Sequence, residues 1–221
     1  MNTDTGLKLY TSYLCPYCKP VEFLLNSTKI PHEEVKMDLL NNETASEEYK
    51  KINPLQTVPA IVDNGFILYE SNTLMRYLCN SREVEDHWYP KDAKKRALVD
   101  LYCDFHVQRS WDLIRYSYAK IGMINTPLEE AKKISDEAFV ELENIFLKNR
   151  KYLASDDKIT ICDLALLWHL TGLIEAGYEL SDKMKNYYES VIKTDEVAFR
   201  KSINDYIKER NDAVAKRLEK K

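Results

Sequence analysis

Two thiols separated by two residues, Cys15-Pro16-Tyr17-Cys18, are the part of this sequence best suited to chemistry. They follow Leu7-Lys8-Leu9-Tyr10, which reads as a short strand, and the polar turn Thr11-Ser12-Tyr13. They precede Val21, Phe23, Leu24 and Leu25, an apolar set that predicts a helix starting at the cysteines. A thiol at the start of a helix meets unpaired amides and the positive end of the helix dipole, and both favour thiolate over thiol. Cys15 is then the expected nucleophile, with Cys18 as its resolving partner. Pro16 suits a first helical turn, where no N–H partner is needed. The alternative is structural: free cysteine is among the most buried residue types, and both thiols can pack as small apolar residues under a sheet.

Two later stretches could hold a ligand beside such a thiol. At Val58-Pro59 an extended residue precedes a proline that suits a cis bond. The N–H and C=O of Val58 would then stand outside a sheet ladder, ready to pair with an extended peptide-like ligand. Glu70-Ser71 heads a predicted helix, with Ser71 or Asn72 as its cap. The Ser71 hydroxyl and nearby amides suit a ligand carboxylate, and Glu70 suits a ligand ammonium. A molecule with a free amino-acid end, a peptide backbone and a thiol would satisfy all three places. Taken singly, each has an ordinary counterpart: Ser71 as a cap, Glu70 as a solvated carboxylate, Val58-Pro59 as an edge turn.

The elements that must position these residues occupy the first eighty positions. Strand, helix and a second strand over Pro31–Asp38 make a βαβ unit of about 30 residues. A polar stretch from Asn41 to Lys51 carries a short helix at most. Asn64-Gly65 between two apolar runs is a strong hairpin signal. A helix from Thr73 to Leu78 follows. Beyond a charged stretch that contains Trp88 and Tyr89, the pattern becomes helical: Lys91 to Tyr118, Pro127 to Leu147, an apolar run from Leu164 to Ala176 ended by Gly177, and stretches from Asp182 and Asp195. Thr160-Ile161-Cys162-Asp163 has the spacing of a capping box. The Leu164 helix is apolar nearly all round and reads as the buried spine of a helical domain. The expected organisation is therefore an α/β domain over residues 1–82, a linker over 83–90, and an all-α domain over 91–221.

Composition narrows the class. Hydrophobic residues at 44% and charged residues at 31% describe a soluble globular chain. A net charge of -4 and a pI near 5.7 disfavour nucleic acid or an anionic membrane as the main partner. No apolar run reaches membrane-spanning length, and Met1-Asn2-Thr3-Asp4-Thr5-Gly6 carries no targeting pattern. Five scattered cysteines are not a disulfide framework, which points to a reducing, cytoplasmic setting. None of the four histidines is spaced with them as a zinc site requires, so no metal is expected.

Together, Asn53-Pro54-Leu55-Gln56-Thr57-Val58-Pro59-Ala60, Tyr69-Glu70-Ser71, Trp88-Tyr89-Pro90 with Val99-Asp100, and Thr160 to Ala165 resemble the glutathione transferase family over essentially the full length. The spacing is nearest the theta class. The resemblance implies a thioredoxin-like amino-terminal domain, an all-helical carboxy-terminal domain, glutathione as cosubstrate and a homodimer. It implies that Val58, before Pro59, pairs with the glutathione cysteine, that Glu70 and Ser71 hold the γ-glutamyl end, and that Thr57 lies beside the tripeptide. A second-substrate pocket would be lined from the first long helix of the second domain, with Trp111, Arg115 and Tyr118 as candidates. Two departures stand out. Theta enzymes carry serine where this chain has Cys15, and Gln-His where it has Glu43-Thr44. The cysteine resembles omega- and lambda-type transferases, and Cys-Pro-Tyr-Cys is the glutaredoxin motif. Ser12, Tyr10 and Tyr13 are other nearby hydroxyls.

Two activities follow within one superfamily. Conjugation to a small electrophile, the detoxification reaction, needs a donor to the glutathione thiolate, and S–H is a poor one. Thiol transfer needs Cys15 itself as nucleophile, and the residues favour it. The alternative from another class is a non-catalytic, transferase-like subunit that binds or builds within a larger assembly.

Overall fold

The computed structural model describes residues 6–219; Met1–Thr5, most of the stretch read for a targeting pattern, and the last two lysines of the charged tail lie outside the described residues. The chain divides into two compact units, Met1–Glu85 with Asn204–Lys221, and Asp86–Ile203.

The first unit is built on a four-stranded sheet. Strands β1 (Leu7–Thr11), β2 (Glu33–Lys36), β3 (Ala60–Asp63) and β4 (Phe66–Tyr69) lie in the order β2-β1-β3-β4. Leu7 and Leu9 are buried while Lys8 is exposed, the period-two pattern of a strand with one face on a core. β1 and β2 run parallel, which requires a crossover, and helix α1 (Cys18–Ser27) supplies it. β3 is antiparallel to both β1 and β4. The Asn64-Gly65 hairpin forms as expected, with φ of 49° and 87°, the double positive φ of a type I′ turn. A 3-10 turn (Glu43–Ala45) and a short helix α2 (Glu47–Lys50) occupy the polar stretch, and α3 (Ser71–Ser81) closes the unit.

Two helix starts differ from the sequence reading. α1 begins at Cys18, not Cys15. Cys15 lies in the preceding turns, where its N–H donates to the Ser12 carbonyl and its carbonyl accepts from the Cys18 amide. The proline inside the first helical turn is Pro20, which lacks an N–H where the helix offers it no partner. α3 is preceded by Glu70 rather than capped by Ser71 or Asn72; Glu70 has φ 74°, ψ 109° and no side-chain cap bond, and Ser71 is the first helical residue.

The second unit is helical among its described residues. α4 (Ala93–Lys120) is capped by Asp92, which accepts from the amides of Lys94 and Lys95. α5 (Leu128–Ile145), α6 (Ile161–Glu175) and α7 (Asp182–Ile192) follow, and α8 (Glu196–Glu219) runs across the boundary between the units. α6 is the spine: every residue from Ile161 to Leu173 is buried. Its capping box is formed, with the Thr160 hydroxyl accepting from the Cys162 amide and Asp163 accepting from the Thr160 amide at 2.7 Å. Trp88 of the charged stretch is buried, and its carbonyl accepts from the Ile161 amide at 3.0 Å.

α4 and α6 also bring together two buried histidines. His106 Nε2 and His169 Nδ1 are 3.1 Å apart, with the rings stacked at 4.8 Å. One nitrogen must donate and the other accept, which two neutral rings satisfy and two charged rings cannot. Burial pushes His106 down to about 4; burial and then the neighbouring ring push His169 well below its usual value. The unfolded chain therefore binds more protons than the fold between about pH 4 and pH 6.5. The stability these histidines contribute is full above pH 6.5 and is lost as pH falls through that window. At about pH 5.5, calorimetric unfolding is expected to take up close to two protons beyond its uptake at pH 8. Equal uptake at the two pH values would show that the pair titrates normally in the fold.

Candidate active site

The sheet register gathers the predicted site residues of the first unit at one end. Tyr10 pairs with Ala60, and Ala60 pairs with Tyr69. The end of β1, which leads to Cys15, therefore lies alongside Pro59 and Val58 just before β3, and alongside Glu70 and Ser71 just after β4. The Val58–Pro59 bond is cis, and Val58 stands before the ladder begins at Ala60. The Cys15 thiol donates to the Val58 carbonyl at 3.4 Å. Cys15, Cys18, Val58 and Ala60 share a buried cluster with Met37 and Tyr49. Both cysteines are thus core residues as well, Cys15 at 8% exposure and Cys18 at 0%.

Burial alone would make both thiols inert, and the surroundings separate them. Hydrogen bonding from the Cys18 side chain and from the backbone at Tyr17 and Cys18 favours the ionised form of Cys15. These donors outweigh burial and the charge of Glu22 and hold the Cys15 thiol below its usual range. Burial, and then the bond and charge of Cys15, push the Cys18 thiol well up. The asymmetry makes Cys15 the more easily ionised of the two thiols. The amides at the head of α1 act on Cys15 although the residue itself lies outside the helix.

Thr57 is anchored by Asn53, at the head of the 53–60 stretch, and by Tyr49, which no sequence pattern singled out. Its carbonyl accepts from the Tyr49 hydroxyl at 2.7 Å and from Asn53 Nδ2 at 2.8 Å, and its hydroxyl accepts from Asn53 at 3.0 Å. Asn53 is fully buried and also accepts from the Leu55 amide, so one side chain shapes the loop that presents Thr57 and Val58. Glu70 is exposed and Ser71 partly so. At the departures, Glu43 accepts from the Asp38 amide at 2.7 Å, and Thr44 is buried. Of the nearby hydroxyls, Ser12 Oγ is buried with no hydrogen-bond partner, and the Tyr10 ring packs 5.5 Å from that of Tyr49.

Trp111, Arg115 and Tyr118 belong to the second unit, on α4. The Trp111 and Tyr118 rings meet edge to face at 5.3 Å, Trp111 is half-exposed, and Arg115 donates to Asp112 at 3.2 Å. Among the described residues no group of three or more His, Cys, Asp or Glu side chains is placed to hold a metal ion, and no helix is long and apolar enough to cross a membrane.

Comparison with known proteins bears on the fold and the family. A family profile described as "Glutathione S-transferase, N-terminal domain" matches residues 9–85. Glutathione S-transferase theta-2 of Homo sapiens is 31% identical over 188 residues, covering 79% of this chain and 75% of that protein. Glutathione S-transferase theta-1 of Bos taurus is 30% identical over 188 residues, covering 79% and 76%. A crystal structure of human glutathione transferase theta-2 in complex with glutathione superposes with a TM-score of 0.85 at 25% identity, covering 95% of this chain and 91% of that one. A human theta-class enzyme in complex with the glutathione conjugate of 1-menaphthyl sulfate gives 0.86 at 26% identity, covering 96% and 92%. With a profile match over residues 9–85 and 30–31% identity across most of both sequences, the chain belongs to the glutathione S-transferase family.

Proposed function

We propose that this protein is a glutathione transferase that uses glutathione as cosubstrate and runs thiol transfer through Cys15. The observation that carries the proposal is the cysteine pair itself: Cys15 lies at the cis-proline end of the sheet with its thiol 3.4 Å from the Val58 carbonyl, shares a buried cluster with Cys18, and is the thiol of the two whose ionisation is eased. A thiolate in that setting attacks the glutathione sulfur of a mixed disulfide R–S–S–G. The Cys15–glutathione disulfide forms as R–S⁻ leaves. A second glutathione thiolate then releases glutathione disulfide and regenerates Cys15. Val58 would pair with the cysteinyl main chain of glutathione, which displaces the Cys15 thiol from the Val58 carbonyl. Thr57, Pro59, Glu70 and Ser71 would frame the rest of the tripeptide.

In this reading residues 1–82 bind glutathione, residues 83–90 link, and residues 91–221 supply the cosubstrate pocket with Trp111, Arg115 and Tyr118. A homodimer in a reducing cytoplasm completes it. Conjugation to small electrophiles is the second reading; the buried, unpartnered Ser12 hydroxyl favours it as a donor near the thiol site. A non-catalytic subunit of a larger assembly is the third.

The test is retention on immobilised glutathione, followed by mass spectrometry after exposure to glutathione disulfide. Retention and a single glutathione adduct on Cys15 are expected. A folded chain that neither binds nor forms the adduct would transfer the assignment to the non-catalytic role. Binding without an adduct, together with turnover of an aryl halide, would transfer it to conjugation.

A further inference from the structure

The loop that presents Val58 hangs on one carbonyl. The Thr57 C=O accepts from the Tyr49 hydroxyl at 2.7 Å and from Asn53 Nδ2 at 2.8 Å, which uses both lone pairs of the oxygen. Each donor is itself held. The Tyr49 ring is buried, packs 5.5 Å from the ring of Tyr10 on β1, and belongs to the cluster that contains Cys15, Cys18 and Val58. Asn53 is fully buried, and its side-chain oxygen accepts from the Leu55 amide at 3.0 Å. The backbone joins the two donors, since the Tyr49 carbonyl accepts from the amides of Ile52 at 2.9 Å and Asn53 at 2.8 Å. Tyr49 lies on α2, whose cap Ser46 accepts from its amide at 3.2 Å. The short helix therefore delivers both donors to Thr57 as one unit.

A trans peptide is planar and carries its C=O and N–H on opposite edges. The Thr57–Val58 bond is trans, so a Thr57 carbonyl held against Tyr49 and Asn53 turns the Val58 N–H away from them. The next carbonyl, that of Val58, accepts from the Cys15 thiol at 3.4 Å. The N–H and C=O of Val58 are the two groups through which an extended peptide backbone pairs. The first of them is aimed by the plane that Tyr49 and Asn53 fix.

We propose that the Tyr49 hydroxyl is a positioning group for glutathione: with Asn53 it fixes the Thr57–Val58 peptide plane and so aims the Val58 N–H at the cysteinyl carbonyl of the bound tripeptide. This deepens the reading of Val58 as the main-chain partner of glutathione and rests on it. Tyr49 acts through Thr57 and Val58 and is not a catalytic residue. Its ring serves the core, and its oxygen serves the ligand. Without that oxygen the Thr57 carbonyl keeps Asn53 alone, the plane gains freedom, and binding has to still it. The loss falls on affinity, because the Val58 pair holds glutathione equally before and during exchange.

Calorimetric titration with glutathione, of the native chain and of Tyr49→Phe, tests this. Tyr49→Phe keeps the ring and removes one oxygen, and its Kd is expected to rise about 3- to 10-fold. In exchange with a glutathione mixed disulfide its KM is expected to rise by the same factor, with kcat changed by less than about twofold. Asn53→Asp keeps the acceptor for the Leu55 amide and sets an oxygen against the Thr57 carbonyl, so its Kd is expected to rise about 10- to 100-fold.

Tyr49→Leu separates the hydroxyl from the packing. It lacks the same oxygen and also leaves a void in the cluster, so it is expected to unfold at lower urea than Tyr49→Phe yet bind glutathione with about the same Kd. An unchanged Kd in Tyr49→Phe, or a Kd that follows the loss of stability across the three chains, overturns the proposal and leaves the glutathione reading standing. Should Asn53→Asp fail to fold, Tyr49→Phe decides by itself. A folded native chain that does not bind glutathione overturns the glutathione reading and this proposal with it.

Discussion

A Cys15→Ser chain is expected to lose exchange with glutathione disulfide by at least about a thousandfold while it still folds and still binds glutathione. A serine hydroxyl is not ionised near neutral pH and does not attack a disulfide sulfur, so no residual route is left through position 15. The substitution removes one buried sulfur from a site already ringed by donors, including the amides of Tyr17 and Cys18. A serine hydroxyl is also a better hydrogen-bond donor to a neighbouring thiolate than S–H is. Conjugation of an aryl halide is therefore expected to hold steady or rise in the same variant. Side-by-side turnover of a disulfide and an aryl halide checks both halves. Unchanged disulfide exchange in Cys15→Ser would end the nucleophile assignment. A fall in both activities would point instead to a packing role for the sulfur.

The largest expected effect on stability lies in the helical unit, at Asp163. This carboxylate is fully buried and accepts from the Thr160 amide at 2.7 Å, the Leu153 amide at 3.0 Å, the Tyr187 hydroxyl at 2.9 Å and the Thr160 hydroxyl at 3.2 Å. It joins the head of the buried α6 to the loop before it and to α7. Asp163→Ala would leave several buried donors without an acceptor, at about 1–3 kcal/mol each. The total expected loss is about 3–5 kcal/mol, set against the 5–15 kcal/mol typical of a whole domain. Asp163→Asn retains one acceptor oxygen and is expected to lose about half as much. Urea unfolding followed by tryptophan fluorescence reads the difference, since Trp168 is buried on α6 itself. A loss under about 1 kcal/mol for Asp163→Ala would show that the donors find other partners.

Much of this protein was legible where the signal is local. Asn64-Gly65 specified its own turn because positive φ at both central residues is a property of those two residues. Thr160 and Asp163 specified a helix start because a capping box closes within four residues. The apolar run of α6 announced burial on all sides, and Gly177, with φ 80°, ended it. The head of α1 misled because two prolines compete for one role: Pro16 has the sequence context of a first turn, and Pro20 occupies it. Ser71 had the composition of a cap, yet the chain enters α3 through the left-handed Glu70.

What no local pattern carried was contact across the chain. The Thr11–Glu22 bond spans β1 and α1, the His106–His169 pair spans 63 residues, and Tyr49 holds Thr57 from outside any motif. By itself the sequence determined the order of strands and helices and the identity of the two thiols, because propensity, turn chemistry and hydrophobic period act over a few residues. Only the tertiary structure decided how deeply each thiol is buried and what surrounds it. Burial and the neighbouring thiol raise Cys18 while hydrogen bonding around Cys15 lowers it, and all of these depend on distance in space.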